Sequence, residues 1–245
     1  HEQQHIINAL SFELSKVNDP KIRARQVAIL NQIDQDLAKK VGNHLNIKPA
    51  SELDELTLKF ARQNHPEYPI QPKKAEVEKS KALSMQVKEG EGTIETRKVA
   101  FLLEEGSSKT SVDTLQEALE AEGAEAVLIA PNVGIFTFNE GDTEEIQHTY
   151  DTEASVCYDA VYTPSGAEKA LSKNPDYFAF INEAYRHCKA VAFAKGTENL
   201  LEKSFVEKDK GVIIEDEDKN WTQTMITVMK GHRVWEREES RKVPV

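Results

Sequence analysis

His1, Glu2 and His5 stand in HExxH spacing, which on a helix sets two imidazoles on one face for zinc with a glutamate beside them as base. Ile6 and Ile7 continue a plain amphipathic helix, and the glycine and third histidine of the extended motif are missing, so a structural helix without metal is expected. A second candidate is the turn after the apolar run Ala190–Ala194. Open α/β sheets bind ligands beyond the carboxyl ends of their strands, where helix starts offer free N–H groups to anions. Lys195, Gly196 and Thr197 are the best-placed residues for such a site. A nucleophile there would be Cys or Ser with a histidine as base. Instead Lys195 stands at the bend, or Gly196 if the register slips by one. A Schiff-base lysine needs a desolvated pocket, which nothing in the sequence indicates, so a structural turn is expected.

Tyr185, Arg186, His187 and Cys188 set a thiol beside an imidazole. Sequence neighbours on a helix point about 100° apart and do not face each other, so Tyr185 and Cys188 are expected on the sheet, with Arg186 and His187 toward its edge or solvent. The acidic run Glu215–Asp218 lacks the spaced ligands and turn glycine of a calcium loop and reads as a solvated loop. Cys157 and Cys188 are too few for a disulfide framework or a structural zinc site and read as core thiols.

These residues need elements to hold them. Ile7, Leu10, Leu14 and Val17, then Val27, Leu30, Ile33, Leu37 and Val41, recur at helical spacing and predict two amphipathic helices before residue 45. Asp19 and Pro20 suit the start of the second, and Lys39, Lys40 and Gly42 mark its end. Two helices cannot bury both stripes on each other, so part of that surface wants a partner. A short helix over 51–62 starts at Ser51, and 63–96 reads as a linker pinned by the apolar patch Ala82–Met85. From Arg97 onward strands and helices alternate. Apolar runs at 98–103, 126–130, 158–163 and 190–194, with a hairpin near Gly134–Phe138, predict a doubly wound parallel sheet over 97–245. Thr110 and Ser111 read as helix caps, Gly123 as that helix's stop, Gly196–Lys203 as a helix start, Gly211–Ile214 as a further strand, and 219–230 and 233–241 as closing helices.

The 245 residues carry a net charge of −11, which disfavours nucleic acid and anionic membrane surfaces as partners. No apolar run approaches the roughly 20 residues of a membrane span. Beginning at His1 inside a helical pattern suggests a fragment, and a cytoplasmic location is expected.

His1–Lys16 (HEQQHIINALSFELSK), Ile22–Val27 (IRARQV) and Asn31–Ala38 (NQIDQDLA) resemble the last helical segment of the monofunctional haem catalase core. Arg97–Leu103 (RKVAFLL), Ser155–Tyr162 (SVCYDAVY) and Glu183–Ala190 (EAYRHCKA) resemble the flavodoxin-like C-terminal domain of large-subunit catalases. That domain is similar to class I glutamine amidotransferases and PfpI-type proteases, whose active members place a cysteine at the elbow where Lys195 and Gly196 stand here. The turn Thr163–Gly166 likewise departs from that superfamily's proline and two glycines at Ser165, so Ser165 and Gly166 join the vestigial-elbow residues. The resemblance implies a parent that turns hydrogen peroxide into water and oxygen, with haem held by a tyrosinate in an upstream barrel. No segment here matches its haem motifs, so no cofactor is expected in this chain and haem only in the parent. The implied role is an accessory domain packed on the catalase core, shaping haem access and stabilising a homotetramer. The alternative is a chaperone-like module for unfolded client proteins.

Overall fold

The computed structural model describes residues 2–50, 77–84 and 91–241. They fall in two compact units, within 1–85 and within 86–243. The helix expected over 51–62, Met85 and most of the expected linker lie outside the described residues.

Among its described residues the first unit holds three helices, α1 (Glu2–Ser15), α2 (Pro20–Ile33) and α3 (Gln35–Leu45), with α3 against both others. Asp19 caps α2 through the Lys21 N–H, with Pro20 at the first turn, as its sequence implies. The single second helix expected is broken in two. Asp34 leaves helical geometry (φ −152°, ψ 121°) and accepts the Leu37 N–H at 2.8 Å, so one carboxylate satisfies a donor left free at the new helix start. Gly42 does not end α3; Asn46 does, in the left-handed region. Gly42 is inside because a Cβ there would lie 2.4 Å from the Ile47 carbonyl oxygen. Ile7, Leu14, Val27, Leu30, Ala38 and Val41 form the core, whereas Ile33, expected in the apolar stripe, is largely exposed. The anchor patch also differs from expectation. Leu83 is 84% exposed, and the contact made is polar, from the Ser84 hydroxyl to the Glu2 carboxylate at 3.1 Å.

In the second unit the chain runs β1 (Lys98–Leu102), α4 (Lys109–Ala121), β2 (Glu125–Ala130), β3 (Gly134–Thr137), β4 (Thr143–Ile146), β5 (His148–Thr149) and β6 (Ala160–Thr163). It continues through α5 (Glu168–Leu171), α6 (Pro175–Arg186), β7 (Ala190–Phe193), β8 (Val212–Ile214), α7 (Trp221–Lys230) and α8 (Glu236–Arg241). Six strands form one sheet in the order β5-β2-β1-β6-β7-β8, every pairing parallel, with β3 and β4 a separate antiparallel hairpin. Without the two-residue β5 this is the flavodoxin-like order, and the winding reverses between β1 and β6.

The apolar runs read as strands because both faces are covered. Val99 and Phe101 join Tyr162, Trp221 and Met225 on one face, while Ala100, Leu102, Val191 and Phe193 join Tyr177, Ile181 and Tyr185 on the other. Ile94, inside the expected linker, is fully buried in the first of these clusters. Ser108, not Thr110 or Ser111, caps α4, and the helix expected from Gly196 is a 3-10 turn over Glu198–Lys203. Cys188 is buried, but Cys157 is exposed, because it ends a 3-10 turn (Ser155–Cys157) ahead of β6 instead of lying in a strand. No helix among the described residues is long and apolar enough to cross a membrane.

Candidate functional site

In this strand order the ligand crevice of an open α/β sheet falls beyond the carboxyl ends of β1, β6 and β7, at the reversal of winding. After β7 the residue at the bend is Gly196, whose φ of +81° suits a residue without Cβ. It therefore brings no side chain to the elbow. Lys195 points away: its side chain is 76% exposed and its ammonium lies 3.8 Å from Asp216 Oδ1. A solvated, paired lysine lacks the desolvation that a Schiff-base amine requires. Its N–H is taken by Glu215 Oε2 at 2.8 Å, so the acidic run covers this turn's donor. Thr197 is buried and ties its hydroxyl to the Ala194 carbonyl at 2.7 Å.

After β6, the Ser165 carbonyl accepts the Ser108 N–H at 2.9 Å and the Ser165 N–H donates to Ser111 Oγ at 3.1 Å. Gly166 N–H donates to Glu168 Oε1 at 2.9 Å, and Gly166 packs against Gly106 of the loop after β1. Ser165 and Gly166 thus join the two loops on either side of the crevice. Deeper in, Tyr150 donates to the Leu103 carbonyl at 3.1 Å, Asn174 to Glu104 at 2.9 Å, and Thr163 bonds Tyr177 at 3.0 Å.

The start of α4, where a bound anion would sit, is occupied by the chain itself. Glu140, in the turn of the β3–β4 hairpin, accepts the Ser108 hydroxyl at 2.6 Å and the N–H groups of Lys109 at 2.8 Å and Thr110 at 3.3 Å. Burial alone would raise its pKa, but these hydrogen bonds outweigh that and hold the carboxyl down at about 2. Sequence reasoning missed Glu140 because nothing local links a hairpin turn to a helix start 31 residues earlier. The donors an anionic ligand would use here are spent on internal carboxylates.

A carboxyl held below its unfolded value of 4.5 adds stability above that pH, and the contribution fades as pH falls from 4.5 toward about 2. Glu140→Gln is therefore expected to melt below the parent at pH 6, with the gap narrowing below pH 4.5 and closing only near pH 2. Glu140 is exposed, so the gap at pH 6 should be only that of a lost cap, about 1 kcal/mol or less. A gap independent of pH in thermal melts would refute the assignment.

Tyr185 and Cys188 pack inward as the spacing implies, while His187 is exposed. Burial pushes the Cys188 thiol up to about 11, which keeps it protonated, and His187 pairs with Glu183 at 3.5 Å instead. His1 of the HExxH pattern lies outside the described residues. Among the described residues no group of His, Cys, Asp or Glu could hold a metal ion. Tyr150, Tyr158, Tyr162, Tyr177 and Tyr185 all have their pKa raised, in each case chiefly by burial, so these five are phenols at neutral pH.

Residues 95–239 match the family described as the C-terminal domain found in long catalases, and residues 1–45 match one described as catalase-related immune-responsive. The chain is 35% identical over 98% of its length to catalase HPII of Pseudomonas aeruginosa, of which it covers 32%. It is 31% identical to catalase-B of Dictyostelium discoideum over its whole length and 30% identical to catalase-2 of Bacillus subtilis over 96%, covering 34% and 32% of those proteins. The chain thus spans about a third of the length of the curated relatives it matches.

Proposed function

Because the chain belongs to the family of C-terminal domains found in long catalases, we propose that it is the accessory part of a cytoplasmic haem catalase. The haem and the conversion of hydrogen peroxide to water and oxygen belong to the remainder of that protein. This chain packs on the catalytic core, stabilises the homotetramer and narrows the approach to the haem. The observation that carries the docking role is the apolar surface of the helical unit, where Ile6, Phe12, Ile22 and Ile33 are each about half exposed or more. Covering such side chains is worth about 1–2 kcal/mol apiece, enough together to hold a domain against a core.

The first test is Soret absorbance and oxygen release from hydrogen peroxide by the purified chain, with and without haemin. Neither should appear; stoichiometric haem with fast oxygen release would overturn the proposal. In the whole catalase, Ile22→Asp with Ile33→Asp should shorten the half-life of heat inactivation severalfold at unchanged room-temperature activity. An unchanged half-life would remove the docking role. The same exposed side chains favour a chaperone-like module as the second reading. That reading requires the chain to suppress heat aggregation of a client at near-stoichiometric amounts, and to lose this with the same two substitutions.

A further inference from the structure

At the opposite, amino-terminal edge of the sheet, positive charge is concentrated in a chain whose net charge is −11. Arg97 precedes β1, Lys189 precedes β7 and Arg233 follows α7, and the carboxylate among them is Asp159, ahead of β6. Arg97 Nη1 lies 3.9 Å and Arg233 Nη1 3.8 Å from the same oxygen, Asp159 Oδ1. Those separations make ion pairs longer than ordinary hydrogen bonds. Asp159 Oδ2 is already engaged by the Lys98 N–H at 3.1 Å.

Arg97 Nη1 is buried without a hydrogen-bond partner, its side chain bonding only through Nε to the Thr93 carbonyl at 3.2 Å. Arg233 bonds the His232 carbonyl through Nη1 at 2.8 Å. Lys189 is almost fully buried, its ammonium held by the Ser155 carbonyl. Other carboxylates at this edge are committed elsewhere: Glu125 pairs with Lys98 at 3.3 Å, and Glu153 holds His148 at 2.8 Å and Tyr158 at 2.9 Å. His232 adds no charge, because burial, followed by the charges of Arg233 and Arg97, lowers its pKa to about 4.

Arg97, Lys189 and Arg233 share Asp159 as the carboxylate they act with, so positive charge is in excess here, and the carboxyl ends of α6 and α7, each worth roughly half a negative charge, offset part of it. Concentrated, partly desolvated positive charge of this kind is costly unless an anion shares it. We infer an anion site here for a small oxyanion of the phosphate or sulfate type, seated between the Arg97 and Arg233 guanidinium groups. Guanidinium forks match the oxygen spacing of such ions, and the two side chains, 20% and 19% exposed, can be reached from solvent.

Inorganic phosphate and sulfate are titrated into the 245-residue chain against potassium chloride of equal ionic strength, with thermal melting and ³¹P line width as readouts. At ten times its dissociation constant the oxyanion should raise the melting midpoint by roughly 3–5 °C beyond the chloride control. Arg233→Gln should weaken binding at least tenfold, whereas Lys219→Gln, on an exposed loop, should leave it unchanged. Should Arg233→Gln fail to fold, Arg233→Lys keeps the charge but loses the fork, and binding should still weaken severalfold. Glucose 6-phosphate in parallel distinguishes a phosphate ester, if it binds at least as tightly, from the free ion. Equal responses to phosphate and chloride, or undiminished affinity in a folded Arg233 variant, would show an adventitious ion only and overturn the inference.

Discussion

Arg237→Met is expected to lower the stability of the α/β unit by about 3 kcal/mol, toward the lower end of what removing one member of a buried ion pair costs. The Arg237 side chain is 1% exposed and its partner Asp209 is 33% exposed, so the abandoned carboxylate can still reach water, which limits the loss. Against that, the guanidinium does more than pair. It donates to the carbonyls of Lys189 at 2.8 Å, Tyr185 at 3.2 Å and Lys210 at 2.8 Å, and it lies over the Tyr185 ring at 4.1 Å. Tyr185 in turn donates to Asp209 at 2.6 Å. One side chain on α8 therefore ties together the end of α6, the start of β7 and the loop before β8. Methionine fills much of the volume but strands the carbonyls. Chemical denaturation should place the loss well above that of Lys210→Ala, whose exposed ion pair with Glu236 is worth about 0.5 kcal/mol or less. Equal losses would mean that α8 is held by its apolar contacts alone.

The α/β sheet is legible in the sequence because strands covered on both faces must be apolar along their covered length, and β1, β2, β6 and β7 are, apart from the opening Lys98 and Glu125 and the closing Thr163. What escapes is set by distant partners. β5 is two residues long and exists through the pairing of Ile129 with His148, not through any pattern of its own. The break at Asp34 is invisible to periodicity, because Ile33 and Leu37 keep helical spacing across it. In the stretch from Ser107 to Ser111 four of the five residues could cap a helix; Ser108 is selected because Glu140 and Ser165 meet it from other loops. The same reason hides the chemistry. The turn at Lys195 and Gly196 can be located from the run before it, but Glu215, which spends its N–H, is 20 residues away. Arg97, Asp159, Lys189 and Arg233 belong to four separate connections that only the sheet order brings to one edge.

Gly166→Ala should cost about 3 kcal/mol, and a comparison with Gly141→Ala shows where that cost arises. Both glycines have φ near +97°, in the region where any Cβ is strained by about 1 kcal/mol or somewhat more. At Gly141 nothing lies within 4 Å of the added atom, so that strain is the whole effect. At Gly166 the methyl would lie 2.3 Å from the Gly106 carbonyl oxygen and 3.2 Å from Asn139 Nδ2. Backbone cannot rotate aside as a side chain can, so the loops after β1 and β6 must separate, adding about 2 kcal/mol as overpacking. Separation also pulls on the bond from Ser108 N–H to the Ser165 carbonyl and on that from Ser165 N–H to Ser111. If equilibrium unfolding shows Gly166→Ala losing clearly more than Gly141→Ala, the two turns are pressed together and the crevice at the reversal of winding is closed by the fold. Equal losses would mean that the loops part at no cost, and the space between β1 and β6 would then be open to a ligand.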